Sequence, residues 1–276
     1  MTFEDTGFGK ASMFQQRIIT GLALVALFVI IFLFSPPWLV CVVATLVILL
    51  ASWEFMEMAL PEQASGDRLL CLALASLIPG AALAGRTDCL MGSLFVALFA
   101  LGIRSLFSGK ELKTRFEELQ ICLFGILYVS FTLSHFVLLR TMEDWKPWIF
   151  FILIVTYVGD VAAFLTGTRW GKRKLSPLLS PKKTVEGALG GMLATVLLAC
   201  ACKIVFFPAL TVFQAVWVSV LLSMSGQLGD LLESLIKRSY GIKDSGRMLP
   251  GHGGILDRID SILLAGPVGY DLALLI

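Results

Sequence analysis

The sequence predicts an all-α, polytopic integral membrane protein with about nine transmembrane helices and a cytoplasmic N-terminus. Hydrophobic residues make up 57% of the 276 residues and charged residues only 15%, and the mean hydropathy is +0.87. A soluble core of this size could not bury so many apolar side chains, whereas a bilayer accommodates about 20 apolar residues in each spanning helix. The uneven distribution of lysines and arginines predicts the orientation.

Long apolar stretches account for the predicted helices. Each is long enough to cross a membrane, and none alternates apolar and polar residues as a barrel strand does, so no strand is expected. Because no repeat or low-complexity segment separates them, residues 1–276 are predicted to form a single transmembrane domain. The stretches cover roughly residues 18–34, 38–60, 69–85, 90–107, 120–139, 147–166, 188–207, 210–229 and 259–276.

Positive charge predicts that two long polar connections, 167–187 and 230–258, face the cytoplasm. With the N-terminus inside, beginning with Lys10 and Arg17, the inside segments hold all but four of the 22 lysines and arginines. Cytoplasmic segments carry such an excess. Loops of this length are where binding and catalytic residues concentrate, so we expect the chemistry there. The four exceptions are Arg86, Arg140, Lys146 and Lys203.

Residues 230–261 carry the strongest chemical signal. An ionised carboxylate at the end of an apolar run, as at Asp230, is costly and is usually retained for function. If the helix continues, one of its faces carries Asp230, Ser234, Lys237 and Arg238. A following helix places Asp257, Asp260 and Ser261 on one face. Two acidic faces joined by a basic, glycine-rich loop suit Mg²⁺ and a triphosphate, because Mg²⁺ takes one or two carboxylates together with phosphate oxygens.

The segment around Ser180 predicts a second anion contact. Ser180 is a good N-cap and Pro181 suits the first position of a helix. Lys182 and Lys183 would then lie in the first helical turn, where positive charge is unfavourable against the helix dipole. That placement is favourable if an anion binds at the helix N-terminus. The alternative is that both lysines only anchor the chain at the cytoplasmic surface.

Other polar and small residues receive simpler interpretations. Gly187, Gly190 and Gly191 are expected to allow close packing between helices. Glu54 and Glu57, near the cytoplasmic end of the second apolar stretch, are assigned no role. Asp257 is expected to be an unpaired carboxylate that costs the fold stability. The six cysteines lack CxxC or Cys/His spacing, so neither a disulfide framework nor a zinc site is predicted.

The segment 234–260 resembles the signature of the phosphatidate cytidylyltransferase (CDP-diacylglycerol synthase) family. That signature comprises Ser-x-x-Lys-Arg, Lys-Asp with a small residue after it, His-Gly-Gly and Asp-Arg-x-Asp. It is matched here by Ser234, Lys237, Arg238, Lys243, Asp244, Ser245, His252, Gly253, Gly254, Asp257, Arg258 and Asp260. The resemblance extends to Gly159, Asp160 and the segment 180–187, although residues 161–164 depart from the family pattern and leave the role of Asp160 open.

The resemblance implies an enzyme that transfers CMP from CTP to phosphatidic acid, giving CDP-diacylglycerol and pyrophosphate in phospholipid biosynthesis. It implies a bacterial inner membrane, an active site facing the cytoplasm and more than one cation. Asp230 and Asp257 are expected to bind Mg²⁺ with support from Asp260, and Lys237 and Arg238 to be catalytic. Substrate binding is expected at Lys182, Lys183, Ser234, Lys243, Arg247, His252, Gly253, Gly254 and Arg258. No nucleic-acid partner is expected, and a homodimer is left open.

Two other functions are less well supported by the sequence. A transporter with carboxylates along its pathway is disfavoured, because the polar residues cluster at one face and no inverted pair of broken helices is evident. A CTP-dependent polyprenol kinase would share the nucleotide and the membrane setting. The Ser-x-x-Lys-Arg to Asp-Arg-x-Asp signature favours the cytidylyltransferase over that kinase.

Overall fold

A computed structural model of the chain describes residues 34, 36–61, 65–246, 248 and 253–276. The described part is a bundle of helices with one short hairpin. Its helices are α1 (Pro37–Ala59), α2 (Ser65–Ala82), α3 (Thr87–Leu106), α4 (Leu112–Leu139), α5 (Trp145–Trp170), α6 (Val185–Val205), α7 (Val212–Ser239) and α8 (Leu256–Leu275). A π-helical turn at Ile126–Phe131 interrupts α4.

Within the described residues, six helices are long and apolar enough to cross a membrane, namely all of these except α2 and α8. A helical, multi-pass membrane protein is therefore confirmed. The first predicted stretch, 18–34, lies outside the described residues except for its last position, as do Lys10 and Arg17. The count of nine, the cytoplasmic N-terminus and the single domain stay predictions.

Local sequence fixes where α6 and α7 begin. Thr184 caps α6 by accepting a hydrogen bond from the Gly187 N–H at 3.1 Å. Thr211 and Gln214 form a capping box at the start of α7, in which each side chain accepts from the other residue's backbone N–H. A polar residue at the N-cap thus satisfies N–H groups that the first turn leaves free.

An antiparallel hairpin replaces the helix start predicted at Ser180. Strand β1 (Lys174–Ser176) pairs with β2 (Ser180–Thr184), and α6 begins only at Val185. The predictions of a helix cap at Ser180, of lysines in a first helical turn and of no strand are therefore wrong here. The physical reason is that Thr184 caps the helix later and leaves both lysines in extended backbone. The first turn of α6 holds Glu186 instead, which suits the helix dipole.

Glycines let two pairs of helices approach closely. A Cβ at Gly187 would lie 2.7 Å from the Ala163 carbonyl oxygen, and one at Gly191 would lie 2.8 Å from the Gly159 carbonyl oxygen. A Cβ at Gly190 would overlap a side chain of α5. The predicted packing role of these three α6 glycines is confirmed. On α7, a Cβ at Gly229 would lie 2.5 Å from the carbonyl oxygen of an α8 residue, Asp260.

Candidate active site

A cavity of about 540 Å³ lies between α5, the hairpin, α6 and α7. Its polar lining combines carboxylates from two helices with lysines from the hairpin, and apolar side chains complete the wall. The charged lining residues are Asp160, Lys174, Lys182, Lys183 and Asp230. The structure therefore brings the predicted hairpin lysines and the predicted Asp230 into one site, together with Asp160, whose role the sequence left open.

The hairpin and α7 are joined by an ion pair between Lys183 and Asp230. Their side chains are 29% and 25% exposed, so both remain accessible from the cavity. In this arrangement each charge neutralises the other. A phosphate that binds Lys183 would free the Asp230 carboxylate for another cation, because one ammonium cannot fully satisfy two anions at once.

A group of three aspartates surrounds the point where α5, α7 and α8 meet. The Ser261 hydroxyl donates to Asp160 Oδ2 at 2.7 Å, and the Ser261 backbone N–H donates to Asp260 Oδ1 at 2.8 Å. Asp230 lines the same cavity as Asp160, and Gly229 beside it packs against the backbone of Asp260. Negative charge gathered in this way favours the binding of a cation.

The donor chemistry of this group fits Mg²⁺. That ion usually binds through one or two carboxylates and takes its other ligands from phosphates and water. Asp160 and Asp230 supply two carboxylates at the cavity, and Asp260 lies beside them. In the described parts of the chain, no set of three or more His, Cys, Asp and Glu side chains is arranged to enclose an ion by itself. A bound Mg²⁺ would therefore need substrate phosphate or water as further ligands.

A second polar cluster centres on Lys237, whose ammonium lies between two carboxylates. Its Nζ is 2.6 Å from Asp257 Oδ1 and 2.7 Å from Glu233 Oε2. The side chains of Lys237, Glu233 and Asp257 are only 13%, 1% and 9% exposed. Both carboxylates are therefore compensated by a single buried ammonium, and the loss of that charge would leave two buried anions.

Asp257, in the first turn of α8 and outside the six apolar helices, is bonded through both oxygens. Its Oδ2 accepts hydrogen bonds from the backbone N–H groups of Ser245 and Gly254, both at 3.0 Å. Burial raises the pKa of Asp257, but the hydrogen bonds from Lys237 and from the two amides outweigh burial and lower the pKa below its ordinary value. The expectation of an unpaired, destabilising carboxylate is wrong because Lys237 and the loop amides satisfy it.

The two predicted Mg²⁺ ligands therefore belong to different ion pairs, Asp230 with Lys183 and Asp257 with Lys237. As predicted, α7 continues to Ser239 and places Asp230 and Lys237 on one helix. Asp257 and Asp260 lie together on α8, also as predicted. The binding of one ion by Asp230 and Asp257 stays a prediction.

The remaining predicted residues that the structure describes lie on α7, on α8 or in the loop between them. Ser234 is half-buried on α7, whereas Arg238 and Lys243 are exposed. Arg238 donates to the Ile242 carbonyl at 3.1 Å. The exposed Arg258 accepts a hydrogen bond at its carbonyl from the Tyr157 hydroxyl at 3.0 Å. Arg247 and His252 lie outside the described residues.

Gly253 and Gly254 adjoin Asp257 at the end of the same loop. Gly253 has a φ of +82°, a backbone conformation that favours glycine. A Cβ there would also lie 2.9 Å from Asp257 Oδ2. These glycines therefore bring the loop backbone up to the carboxylate, and their predicted contact with substrate stays a prediction.

Sequence reasoning assigned no role to two buried acids that the structure places at the site. Glu233 lies one turn before Lys237 on α7, and Glu54 of α1 contacts the loop before α8. The sequence did contain a clue to Glu54 and Glu233, because a carboxylate in or beside an apolar stretch is rare unless it has a partner or a function. Only the tertiary structure identifies the partners.

Comparison with known proteins relates nearly the whole chain to one family. Residues 15–275 match the model of the Cytidylyltransferase family. Phosphatidate cytidylyltransferase of Bacillus subtilis is 34% identical over 264 residues, which cover 94% of this chain and 97% of the relative. The enzymes of that name from Staphylococcus epidermidis and Staphylococcus saprophyticus are 39% and 40% identical over 153 residues. Those matches span 55% of this chain and 58% of each staphylococcal relative.

The predicted resemblance is confirmed by this match, which includes both the hairpin segment and the α7–α8 segment. It also includes most of the N-terminal half of the chain. The matching region contains every residue of the cavity and of the Lys237 cluster. This chain belongs to the cytidylyltransferase family.

Proposed function

We propose that this chain is a phosphatidate cytidylyltransferase. The phosphate of phosphatidic acid would attack the α-phosphorus of CTP, forming CDP-diacylglycerol and releasing pyrophosphate. The observation that carries the proposal is the cavity in which lysines of the hairpin meet aspartates of α5 and α7. Phosphoryl and nucleotidyl transfers depend mainly on positioning and on charge neutralisation, which this lining supplies. The names of the relatives support the same reaction.

The basic and the acidic residues of the site would have different roles. Lys182 and Lys183 would bind phosphate oxygens, and Asp160 and Asp230 would hold Mg²⁺, which would stabilise negative charge on those oxygens. No general base is required, because a phosphate monoester is already anionic at neutral pH. Asp257 would become available to an ion only when Lys237 turns from it towards a substrate phosphate.

The reaction is tested with purified protein in detergent, labelled CTP and phosphatidic acid. We expect CDP-diacylglycerol and pyrophosphate in equal amounts, because each transfer of CMP releases one pyrophosphate. A polyprenol kinase would instead release CDP and form a phosphorylated lipid. Formation of CDP without CDP-diacylglycerol from this pair of substrates would contradict the proposal.

The proposed location is the bacterial inner membrane, with the hairpin and the α7–α8 loop in the cytoplasm. Six apolar helices and bacterial relatives support a multi-pass membrane protein, and the lysine and arginine distribution supports the orientation. We expect a cysteine replacing the exposed Asp244 to react with an impermeant thiol reagent only after the cells are opened. A cysteine replacing the exposed Asp144, between α4 and α5, should react in intact cells. The reverse pattern would invert the topology.

The two hairpin lysines are expected to contribute unequally to substrate binding. Lys183→Gln should raise the KM for CTP or phosphatidic acid by about tenfold, the effect of losing one charged hydrogen bond. Lys182→Gln should have a smaller effect, because Lys182 is exposed and Lys183 is half-buried beside Asp230. Lys113→Gln, an exposed lysine away from the cavity, is the matched control. Parental KM values in both hairpin variants would instead favour a role as surface anchors.

A further inference from the structure

Glu54 is a buried carboxylate of α1 that contacts the loop before α8, about two hundred positions away along the chain. Glu54 is only 1% exposed to solvent. Its Oε2 accepts a hydrogen bond from the Leu256 backbone N–H at 2.8 Å and one from the Ser245 hydroxyl at 3.3 Å. A buried carboxyl group is costly unless it is hydrogen-bonded, so these bonds tie α1 to the loop.

The atoms that contact Glu54 belong to the same short segment that holds Asp257. Ser245 bonds Glu54 through its hydroxyl and Asp257 through its backbone N–H. Leu256, which donates to Glu54, directly precedes Asp257 in the chain. The two ends of the loop that the structure describes, at Ser245 and at Gly254–Leu256, therefore lie between two carboxylates that bond them from both sides.

Two glycines let the loop backbone come close to the Glu54 carboxylate. A Cβ on Gly254 would lie 2.6 Å from Glu54 Oε2 and 2.7 Å from Oε1, and a Cβ on Gly246 would overlap Oε1. Only glycine at these two positions allows the backbone to approach so closely. Oε1 is buried, and within the described residues it has no hydrogen-bond partner, so this carboxylate retains capacity to accept a bond from the loop.

We propose that Glu54 is a positioning residue for nucleotidyl transfer. Through the loop it fixes Asp257, and through Asp257 it fixes the ammonium of Lys237. The inference rests on the proposed function, in which Lys237 and Asp257 act on the substrates or on Mg²⁺. Glu54 itself need not touch a substrate. The removal of a residue that holds a metal-binding or catalytic side chain in place typically lowers activity by about 10- to 100-fold.

Three variants of Glu54 and one control test this role. Glu54→Leu fills the space but offers no acceptor to the loop, and we expect kcat to fall about 10- to 100-fold. The KM for CTP and for phosphatidic acid should change little, because the cavity lysines Lys182 and Lys183 are untouched. Glu54→Gln keeps one acceptor oxygen and should retain most of the activity. Glu57→Gln, an exposed acid three residues along α1, should match the parent.

Hydrogen exchange of the backbone amides in 243–246 and 253–256 is a measurement that does not depend on enzyme activity. Exchange should be faster in Glu54→Leu than in the parent, in Glu54→Gln or in Glu57→Gln. If Glu54→Leu does not fold, Glu54→Asp replaces it, because the shorter side chain withdraws the acceptor from Leu256 and should also lower kcat and speed exchange.

The outcomes separate the two proposals. A parent that makes no CDP-diacylglycerol overturns the proposed function, whereas unchanged exchange in the Leu or Asp variant overturns the contact of Glu54 with the loop. With an active parent, a folded Leu or Asp variant that keeps the parental kcat overturns the positioning role. The positioning role is also overturned if the variant changes only the KM, or if the fall in kcat disappears when activity is expressed per folded molecule.

Discussion

Replacement of Asp230 by Asn should lower kcat about a thousandfold, corresponding to the loss of about 4 kcal/mol of transition-state stabilisation. Asn keeps the size of the side chain but lacks the anionic charge that makes a carboxylate a strong ligand for Mg²⁺. Without that ion, charge on the leaving pyrophosphate would lack its strongest partner. The fold should change little, because the Lys183–Asp230 pair is partly exposed and such pairs contribute about 0–1 kcal/mol.

Steady-state kinetics on purified Asp230→Asn, checked for folding by thermal melting, measures this effect. Asp271→Asn, which changes an exposed aspartate at the other end of α8, should behave like the parent. An Asp160→Asn, Asp230→Asn double variant should be little slower than the more impaired single variant if both residues hold one ion. A folded Asp230→Asn protein that turns over within a few-fold of the parental rate would refute the assignment. Excess Mg²⁺ should restore little of the lost rate, because a lost ligand alters the geometry of the site as well as its affinity for the ion.

Lys237→Met should be the most destabilising single change at the site. Removal of the ammonium leaves Glu233 and Asp257 as two buried carboxylates that no longer have their shared cation. Breaking a buried ion pair from one side typically costs about 3–5 kcal/mol. We therefore expect the unfolding midpoint of the detergent-solubilised protein to fall sharply, measured by melting or by graded denaturant.

Arg238→Met is the matched control, because Arg238 is the neighbouring base on α7 but is exposed. It should melt close to the parent. Adding Glu233→Gln to Lys237→Met should restore part of the lost stability, since it removes one of the two uncompensated charges. Equal midpoints for Lys237→Met and Arg238→Met would contradict a stabilising role of the buried Lys237 ammonium.

The parts of the site that lie on regular helices were predictable from sequence. Helical spacing placed Asp230 and Lys237 on one helix, and Asp257 and Asp260 on the next, because a 3.6-residue period requires no tertiary information. The hairpin was not predictable in the same way. Ser180-Pro181 and Thr184 each suit a helix start, and the choice between them depends on the pairing of β2 with β1.

Which carboxylate pairs with which base also could not be predicted. Asp257 forms an ion pair with Lys237, Asp230 forms one with Lys183, and Glu54 reaches Leu256 from about two hundred positions away. Such partners depend on how α1, α7 and α8 pack, and a single sequence carries no record of that packing. For the same reason, the role of Asp160 became interpretable only when α5 was placed beside α7.

Gly229 lets the backbone of α7 pack against the Asp260 carbonyl of α8. The distance between Asp230 and Asp260 therefore depends on how these two backbones pack. Side chains can adjust by rotating about their χ angles, but a backbone contact has no comparable freedom. Substitutions on the outer surface of the bundle should therefore leave the spacing of Asp230 and Asp260 unchanged. A side chain at Gly229, by contrast, should push α7 away from α8 and so separate the two carboxylates.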